Sequence, residues 1–555
     1  MKTRRILSLL LALTMVLTLF TACGEKAPVE EEEDYEEEEI TSVSFPLEEP
    51  FEIEIMFSGN TDWNTYLPRC SYYQKLVAET NVTVKPVNLG DEPMNALNAK
   101  LASGDYGDVI MGGILNDTTV SELAYAGWLL PLEDYLTDAE LMPNYVNRGL
   151  ADVPGAVGVA TLPDGHVYSV PRIDNEMVMY MSMPLVINVN WMAQAGLDNV
   201  DTIEKFEQYL TYVRDNDVNG NGNPNDEIPL LVGGNSSIHS NSNIQALLQW
   251  WDLPTKDSAL DSYCTVKDGV VTLVPTTEAY KDAINTLNRW FEEGLIWSEC
   301  YTANKETFSG RLDSETAIWG AALTRSIPMT REYAKDQLRV VAPPKVEGYD
   351  CRLYINPGVL GYKNTFSVTN NCENPEIVMA WLDYMYSEEN SVAYLYNLAD
   401  DEPARYQMVD GKINTEVVAM TEEEYEWITE NNPTLAELFG ATCYMRTSDM
   451  YRNLLPMSDT FAMLWDAYEN IYKDYWNDEM WPRPYFTQEA SEEVGFLQAD
   501  IFALINDYEA KWVTGVSDIN EDWDTYMAQM EAVNYQRLVE LQQEAYDVFL
   551  AATAE

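Results

Sequence analysis

Residues 215–229 read DNDVNGNGNPNDEIP. Oxygen-bearing side chains alternate at Asp217, Asn219 and Asn221, and Asp226 and Glu227 close the run. Asn223 can add its backbone carbonyl, and Gly220 and Gly222 let the backbone wrap. A hard cation such as Ca2+ takes six to eight oxygens at ~2.3–2.6 Å, which alternating donors closed by carboxylates supply. A second register starts at Asp215 and puts Asp226 at position 12 of an EF-hand-like loop. The metal-free alternative is an Asn/Gly-rich turn. A bound ion would be structural, since nothing nearby suggests hydrolysis.

Aromatic residues form the second chemical signal: 15 Trp, 35 Tyr and 14 Phe. Sugar rings stack their C–H faces on aromatic planes while Asp, Asn, Arg and Glu bind hydroxyls, so an aromatic-lined cleft with a few polar groups suits a carbohydrate. Most of these aromatics must be core. Catalytic signatures are missing: the histidines are His166 and His239, and GxSxG, HExxH and phosphate-loop patterns do not occur. The many carboxylates leave a glycosidase pair open, but nothing in the sequence singles one out, so no enzyme is expected.

Lys2, Arg4 and Arg5 precede an apolar run from Ile6 to Phe20, followed by Thr21-Ala22-Cys23. That pattern is a bacterial lipoprotein signal, too short to span a bilayer, with Cys23 the expected lipidated residue. Palmitate or a similar acyl chain there would hold the protein on the outer face of the cell membrane. From Glu30 to Glu39 every residue but Tyr35 is acidic, so 23–49 is expected to be a disordered tether. Net charge is −59, and cleavage before Cys23 makes it three units more negative. Nucleic acid is excluded as a partner, because phosphates demand a basic surface.

Positioning falls to the ordered part, which is expected from about Phe51. FEIEIMF, VTVKPVNL and DVIMGG read as strands alternating with helices near Tyr73–Thr80, Met94–Ala102 and Val120–Ala126. Such alternation implies βαβ units and a parallel sheet. GHVYSVPRIDNEMVMYMSMPLVIN then carries the chain toward a second α/β block from about Asn190. There Ile203, Phe206, Leu210 and Val213 share one helix face behind Asp201 and Thr202 as caps. Residues 489–551 are mostly helical, interrupted near Gly515–Asn520.

Several strings together resemble bacterial extracellular solute-binding protein family 1, over nearly all of the mature chain. They are GWLLPLEDYL (127–136), LPDGHVYSVPRI (162–173), INVNWMAQAGLDNVDTIEKFEQYL (187–210), FSVTNNCENPEIVMAWLDYMYSEE (366–389) and WVTGVSDINEDWDTYMAQME (512–531). In the third string, Asn199-Val200-Asp201 replaces the family's proline-containing turn. The resemblance implies an α/β, two-lobed periplasmic-binding-protein-like fold (type II-like), with a hinge and a large helical C-terminal part. Lobe 1 would comprise 50–172 and 360–395, and lobe 2 would comprise 180–355 and 400–555. It also implies a structural calcium in the 215–229 loop.

The implied function is substrate capture for an ABC importer: a monomer that closes on a carbohydrate, most simply an oligosaccharide, and presents it to permease subunits. A peptide-binding importer component and a surface glycan-active protein without a permease are the alternatives. Expected cleft residues are Asn60, Asp62 and Trp63 after the first strand, Arg172 and Tyr180 beside the first crossing, Trp250, Trp319 at the end of TAIWG, and Tyr354 before the return crossing. Trp319 is included because sugar-binding relatives often stack a tryptophan there.

Overall fold

The computed structural model describes residues 42–59, 62–175, 183–234, 242–254, 263–353, 363–397, 407–409, 412–414, 422–440, 442–455, 458–477, 479 and 481–553. Cys23, Asn60, Tyr180 and Tyr354 lie outside them. No helix among the described residues is long and apolar enough to cross a membrane.

The expected alternation builds the first lobe: β1 (Phe51–Phe57), α1 (Ser71–Thr80), β2 (Val82–Asn88), α2 (Pro93–Ser103), β3 (Val109–Met111) and α3 (Asp117–Tyr125). β1 pairs in parallel with β2 and β3. Side chains alternate across this sheet. Met56 and Ile110 bury against Leu97, Leu101, Val120 and Leu123, whereas Ile55, Phe57, Val109 and Met111 point to the other face.

The second lobe contains β4 (Leu185–Asn188), α4 (Ile203–Asp215), β5 (Ile228–Leu231), α5 (Glu278–Glu292), β6 (Trp319–Leu323) and β7 (Leu338–Val341). Its sheet order is β5-β6-β4-β7, with β5 parallel to β6 and β4 antiparallel to both β6 and β7. All four residues of β4 and of β5 are buried, as in strands covered on both faces. The chain then returns to the first sheet as β8 (Phe366–Val368), antiparallel to β3, and continues into α6 (Pro375–Met385) and α7 (Glu388–Tyr396). Three long helices finish it: α8 (Gln488–Val513), α9 (Ile519–Ala532) and α10 (Tyr535–Thr553). They join the second lobe's core through Ile501, Ile505, Trp512, Tyr526 and Leu541.

Two expected boundaries move. Order begins before residue 50: Leu47 N–H donates to the Thr80 carbonyl, and Phe45 meets Tyr384 edge-on at 5.8 Å, so residues 45–49 belong to the packed part and not to the tether. The assignment of 400–555 to the second lobe also needs dividing. The Ser71 N–H donates to Asn432 Oδ1 at 2.9 Å, and Cys443 Sγ lies 3.3 Å from Met111 Sδ, placing 432–440 and 442–448 against the first lobe. Tyr485 enters the first lobe's core as well.

One buried polar cluster interrupts the second core. Glu509 on α8 is 2% exposed, accepts from Tyr280 at 2.9 Å and from Gln245 at 3.3 Å, and meets no cation in the cluster among the described residues. Burial raises its carboxyl to about 7.

Candidate functional site

Strand direction decides which sheet edges face each other. Val170 pairs with Phe366, and Phe366 lies opposite Met111, so the first crossing leaves lobe 1 at the carboxyl ends of β1 and β3. It reaches lobe 2 at Leu185, opposite Leu323 at the carboxyl end of β6. Carboxyl-end crevices of this kind are where open α/β sheets bind ligands.

On the first lobe this edge holds a cavity of about 370 Å³. Its floor is Phe57, Ser58 and Gly59 after β1, Gly112 and Gly113 after β3, and Thr365 before β8; Glu437 to Gly440 and Thr442 form one wall. Gly112 and Gly113 have φ of 88° and 72°, a turn that keeps side chains out of the floor. Trp63 is sandwiched: Phe57 lies 3.5 Å away with rings 12° from parallel, and Phe439 lies 4.5 Å away on its other side. At 3% exposure Trp63 offers an edge rather than an open face. Asp62 opens the Trp63–Tyr66 helical turn, and its exposed carboxylate accepts from Thr65 Oγ1 at 2.6 Å.

Arg172 stands at the crossing in an ion network. Its Nη2 donates to Asp174 Oδ2 at 2.9 Å, Arg446 Nη2 donates to the same oxygen at 2.5 Å, and Tyr451 donates to Asp174 Oδ1 at 2.7 Å. The Tyr444 ring lies under both guanidiniums at 5.2 and 5.1 Å. The network latches the start of the hinge to segment 444–451. Arg172 is thus a hinge fastener, and its partners are separated from it by more than 270 positions of sequence except for Asp174.

Trp250 and Trp319 are not at this edge. Trp250 is 2% exposed in the second core, in the Ile244–Trp251 turn of 3-10 helix, edge-on to Phe206 at 5.6 Å. Trp319 opens β6 instead of ending a strand, and its indole N–H donates to the Leu312 carbonyl at 3.2 Å. Its register partner Ile228 opens β5, so Trp319 marks the amino end of the sheet, away from the crossing. The apolar run TAIWGAAL allowed either boundary; pairing with β4 and β5 chose the later one.

The 215–229 loop follows α4 at that same amino edge. Asp217 accepts from the Asn221 and Gly222 N–H groups at 3.1 and 2.8 Å, and Asn219 and Asn221 side chains accept from the backbone two residues on at 2.9 and 2.7 Å. Gly220 and Gly222 are left-handed, with φ of 73° and 88°. Asn223 Oδ1 accepts from the Asn225 N–H at 3.4 Å, and Asn221 Nδ2 donates to Asp226 Oδ2 at 2.6 Å. Among the described residues no three His, Cys, Asp or Glu side chains form a ready metal cluster. Two carboxylate oxygens, Asp226 Oδ1 and Glu227 Oε2, are nevertheless buried without a hydrogen-bond donor. Burial, with Asp226 and Asp217 nearby, raises the Glu227 carboxyl above its usual range. Such a donor set fits a cation.

Sequence reasoning missed Phe57, Gly112, Gly113, Thr365, Phe439 and Arg446. The pair Gly112-Gly113 directly after an apolar strand was a usable signal; Phe439 and Arg446 had none, because their contacts are long-range.

Comparison with known proteins fits this architecture. The fructooligosaccharide ABC transporter substrate-binding protein FusA of Streptococcus pneumoniae serotype 4 is 24% identical over 556 residues, 97% of each chain. Its structure with kestose superposes with a TM-score of 0.67 at 21% identity, covering 90% of this chain and 99% of that one, and its EF-hand mutant with fructo-nystose gives 0.66. An HMO-binding ABC-transporter-associated solute-binding protein from Bifidobacterium longum infantis gives 0.71 at 19% identity, over 90% and 99% of the two chains. Lipoprotein LipO of Bacillus subtilis is 25% identical over 201 residues, 36% of each chain. The model of the bacterial extracellular solute-binding protein family matches residues 64–392, more than half of the sequence. With two sheets whose carboxyl edges meet at the crossings and a family match running through both, the chain belongs to the bacterial extracellular solute-binding protein family.

Proposed function

We propose that this protein is the substrate-binding component of an ABC importer and captures an oligosaccharide between its lobes. The observation that carries the proposal is the glycine-floored, aromatic-walled cavity at the carboxyl edge of the first sheet, about 370 Å³ and next to the hinge. Backbone groups and Thr365, Thr442 and Ser58 hydroxyls suit sugar hydroxyls, while the edges of Phe57, Trp63 and Phe439 suit C–H faces. Gly233 and Thr324, which follow the carboxyl ends of β5 and β6, would supply the other wall. The oligosaccharide relatives support the ligand class, and hinge closure would convert binding into a form the permease recognises. No covalent step is involved.

The finer parts rest on other observations. Cys23, preceded by its apolar run, would carry the lipid that keeps the receptor beside its permease, and the acidic stretch would space it from the membrane. Asp217, Asn219, Asn221, Asp226 and Glu227 would hold Ca2+ with the Asn223 carbonyl. When bound, the ion supplies charge neutralisation that ties the loop after α4 to the edge of β5. The EF-hand mutant of the FusA relative supports this assignment. The test is intrinsic fluorescence and calorimetry against neutral fructo-, gluco-, manno- and milk-type oligosaccharides, with oligopeptides as the opposing panel. Binding of a glycan series supports the proposal; binding of peptides alone defeats it.

A further inference from the structure

Gly233 and Gly234 follow β5 at the carboxyl edge of the second sheet, and their backbone is held on two sides. The Gly233 N–H donates to the Ser242 carbonyl at 3.0 Å, and its carbonyl accepts from the Ile244 N–H at 2.8 Å, which docks the Ile244–Trp251 turn on one flank. On the other flank the Gly234 N–H donates to the Cys300 carbonyl at 2.7 Å. The Tyr301 ring lies directly behind Gly234. A methyl group in place of the glycine hydrogen would stand 2.3 Å from a ring carbon, so no side chain fits here while Tyr301 keeps its place.

Both flanks lead to one carboxyl. Gln245, the residue after Ile244, donates through Nε2 to Glu509 Oε1 at 3.3 Å. The Tyr301 hydroxyl faces the same carboxyl from the other flank, and Tyr280 on α5 donates to Oε2 at 2.9 Å. Tyr263, whose hydroxyl donates to Asn506 at 2.9 Å, and Tyr526 on α9 complete the surroundings. Burial raises all four tyrosines well above their usual value, so they stay protonated. No cation enters the cluster among the described residues, and Glu509 is the group in it that exchanges a proton near neutrality.

We propose that Glu509 is a positioning residue for the sugar site: it holds the Gly233–Gly234 wall through Gln245 and Tyr301, and it couples glycan capture to uptake of a proton. The inference rests on the oligosaccharide proposal above. An ionised carboxyl in a core without a cation draws its donors toward itself, and two of those donors brace the wall. Closing the first lobe over a ligand covers the wall and removes screening water, which penalises the ionised form further. Binding therefore favours the protonated acid, and by linkage a site that prefers protonated Glu509 gains a proton as it gains its ligand.

The experiment is calorimetry on the full chain with the tightest-binding member of the neutral fructo-, gluco-, manno- and milk-type panel, run across pH in buffers of differing ionisation heat. The expected result is a Kd that rises about fivefold from about pH 6 to pH 8, with net proton uptake near neutrality. Glu509→Gln keeps the shape of the neutral acid and is expected to hold the low-pH affinity at every pH and to take up no proton. Tyr301→Phe keeps the ring behind Gly234 and loses the hydroxyl, so its pH response should shrink. His166, raised from its ordinary 6.5 by Glu133 on the first lobe, is the control, and His166→Gln should leave proton uptake unchanged. Affinity flat in pH, or the same proton uptake in Glu509→Gln, overturns the inference and leaves the oligosaccharide proposal intact. A Glu509→Gln loss of equal size at every pH means packing alone and overturns it too. No binding by any glycan overturns both. Thermal unfolding checks that each variant is folded; if Glu509→Gln is not, wild-type proton uptake and Tyr301→Phe decide.

Discussion

Trp63 and Trp319 carry the same side chain in opposite settings. Trp63 lies in the cavity wall between two aromatic rings, so Trp63→Ala is expected to weaken oligosaccharide binding by about tenfold or more, the equivalent of roughly 1.4 kcal/mol. Trp319 fills the second core at the far sheet edge. Trp319→Ala should cost ~3–5 kcal/mol of stability while leaving affinity within about twofold. Calorimetric Kd and thermal unfolding on both variants check the pair, and a large affinity loss in Trp319→Ala refutes the placement. Glu509 supplies a different residue-scale test. Its carboxyl is raised to about 7 in the folded state, so the protonated, stabilising form is complete below the ordinary value of 4.5 and is lost as pH climbs through about 7. That loss is worth about 3 kcal/mol. The unfolding midpoint should fall between about pH 4.5 and 7 (the span of the shift), and Glu509→Gln should flatten the slope. An unchanged slope sinks the assignment. Composition announced aromatic abundance, but it could not separate stacked, core and cavity tryptophans, because burial is decided by residues hundreds of positions away.

The elements divide into those with local signals and those without. The alternation of β1, α1, β2, α2, β3 and α3 was legible, because period-2 apolar runs and helix caps are written in adjacent residues. β6 was placed too early, since a strand buried on both faces has no polar alternation to mark its start. Segment 434–448 escaped assignment to the first lobe even though Thr434-Leu435-Ala436-Glu437 spells a capping box. The box fixes a helical turn and says nothing of what the turn packs on. Two predictions belong here. Asp174→Asn removes the shared carboxylate of Arg172 and Arg446 and is expected to destabilise by ~3–5 kcal/mol, as for a buried pair that loses one partner. A loss below about 1 kcal/mol, typical of exposed pairs, refutes the latch. For the 215–229 loop, chelation should lower the unfolding midpoint by an amount that Asp226→Asn or Glu227→Gln abolishes. An ion at about 100 times its Kd contributes ~2.7 kcal/mol. A midpoint indifferent to chelator and to added Ca2+ refutes the metal.

At the scale of the whole molecule, charge separates the ligand classes that shape alone admits. The chain carries −59, and the side chains lining the first-lobe cavity include Glu437 and no lysine or arginine. Arg172, the cation fastened at the hinge, already shares Asp174 with Arg446. An acidic sugar entering this field meets repulsion both at long range and within the cavity, whereas a neutral sugar of the same size loses nothing. One like-charge contact at about 4 Å costs ~1 kcal/mol in water and more where water is excluded. A uronate-bearing oligosaccharide should therefore bind about fivefold or more weakly than its neutral counterpart. Because the long-range part acts through solvent, with a screening length of about 10 Å at 0.1 M salt, the gap should narrow as salt is added while neutral binding stays constant. Titrating a matched neutral and uronate pair across a salt series reads both effects together. Equal affinities mean that a cation from the second lobe reaches the ligand and that the neutral preference is wrong. A gap unmoved by salt assigns discrimination to the cavity wall, which leaves the net charge to solubility.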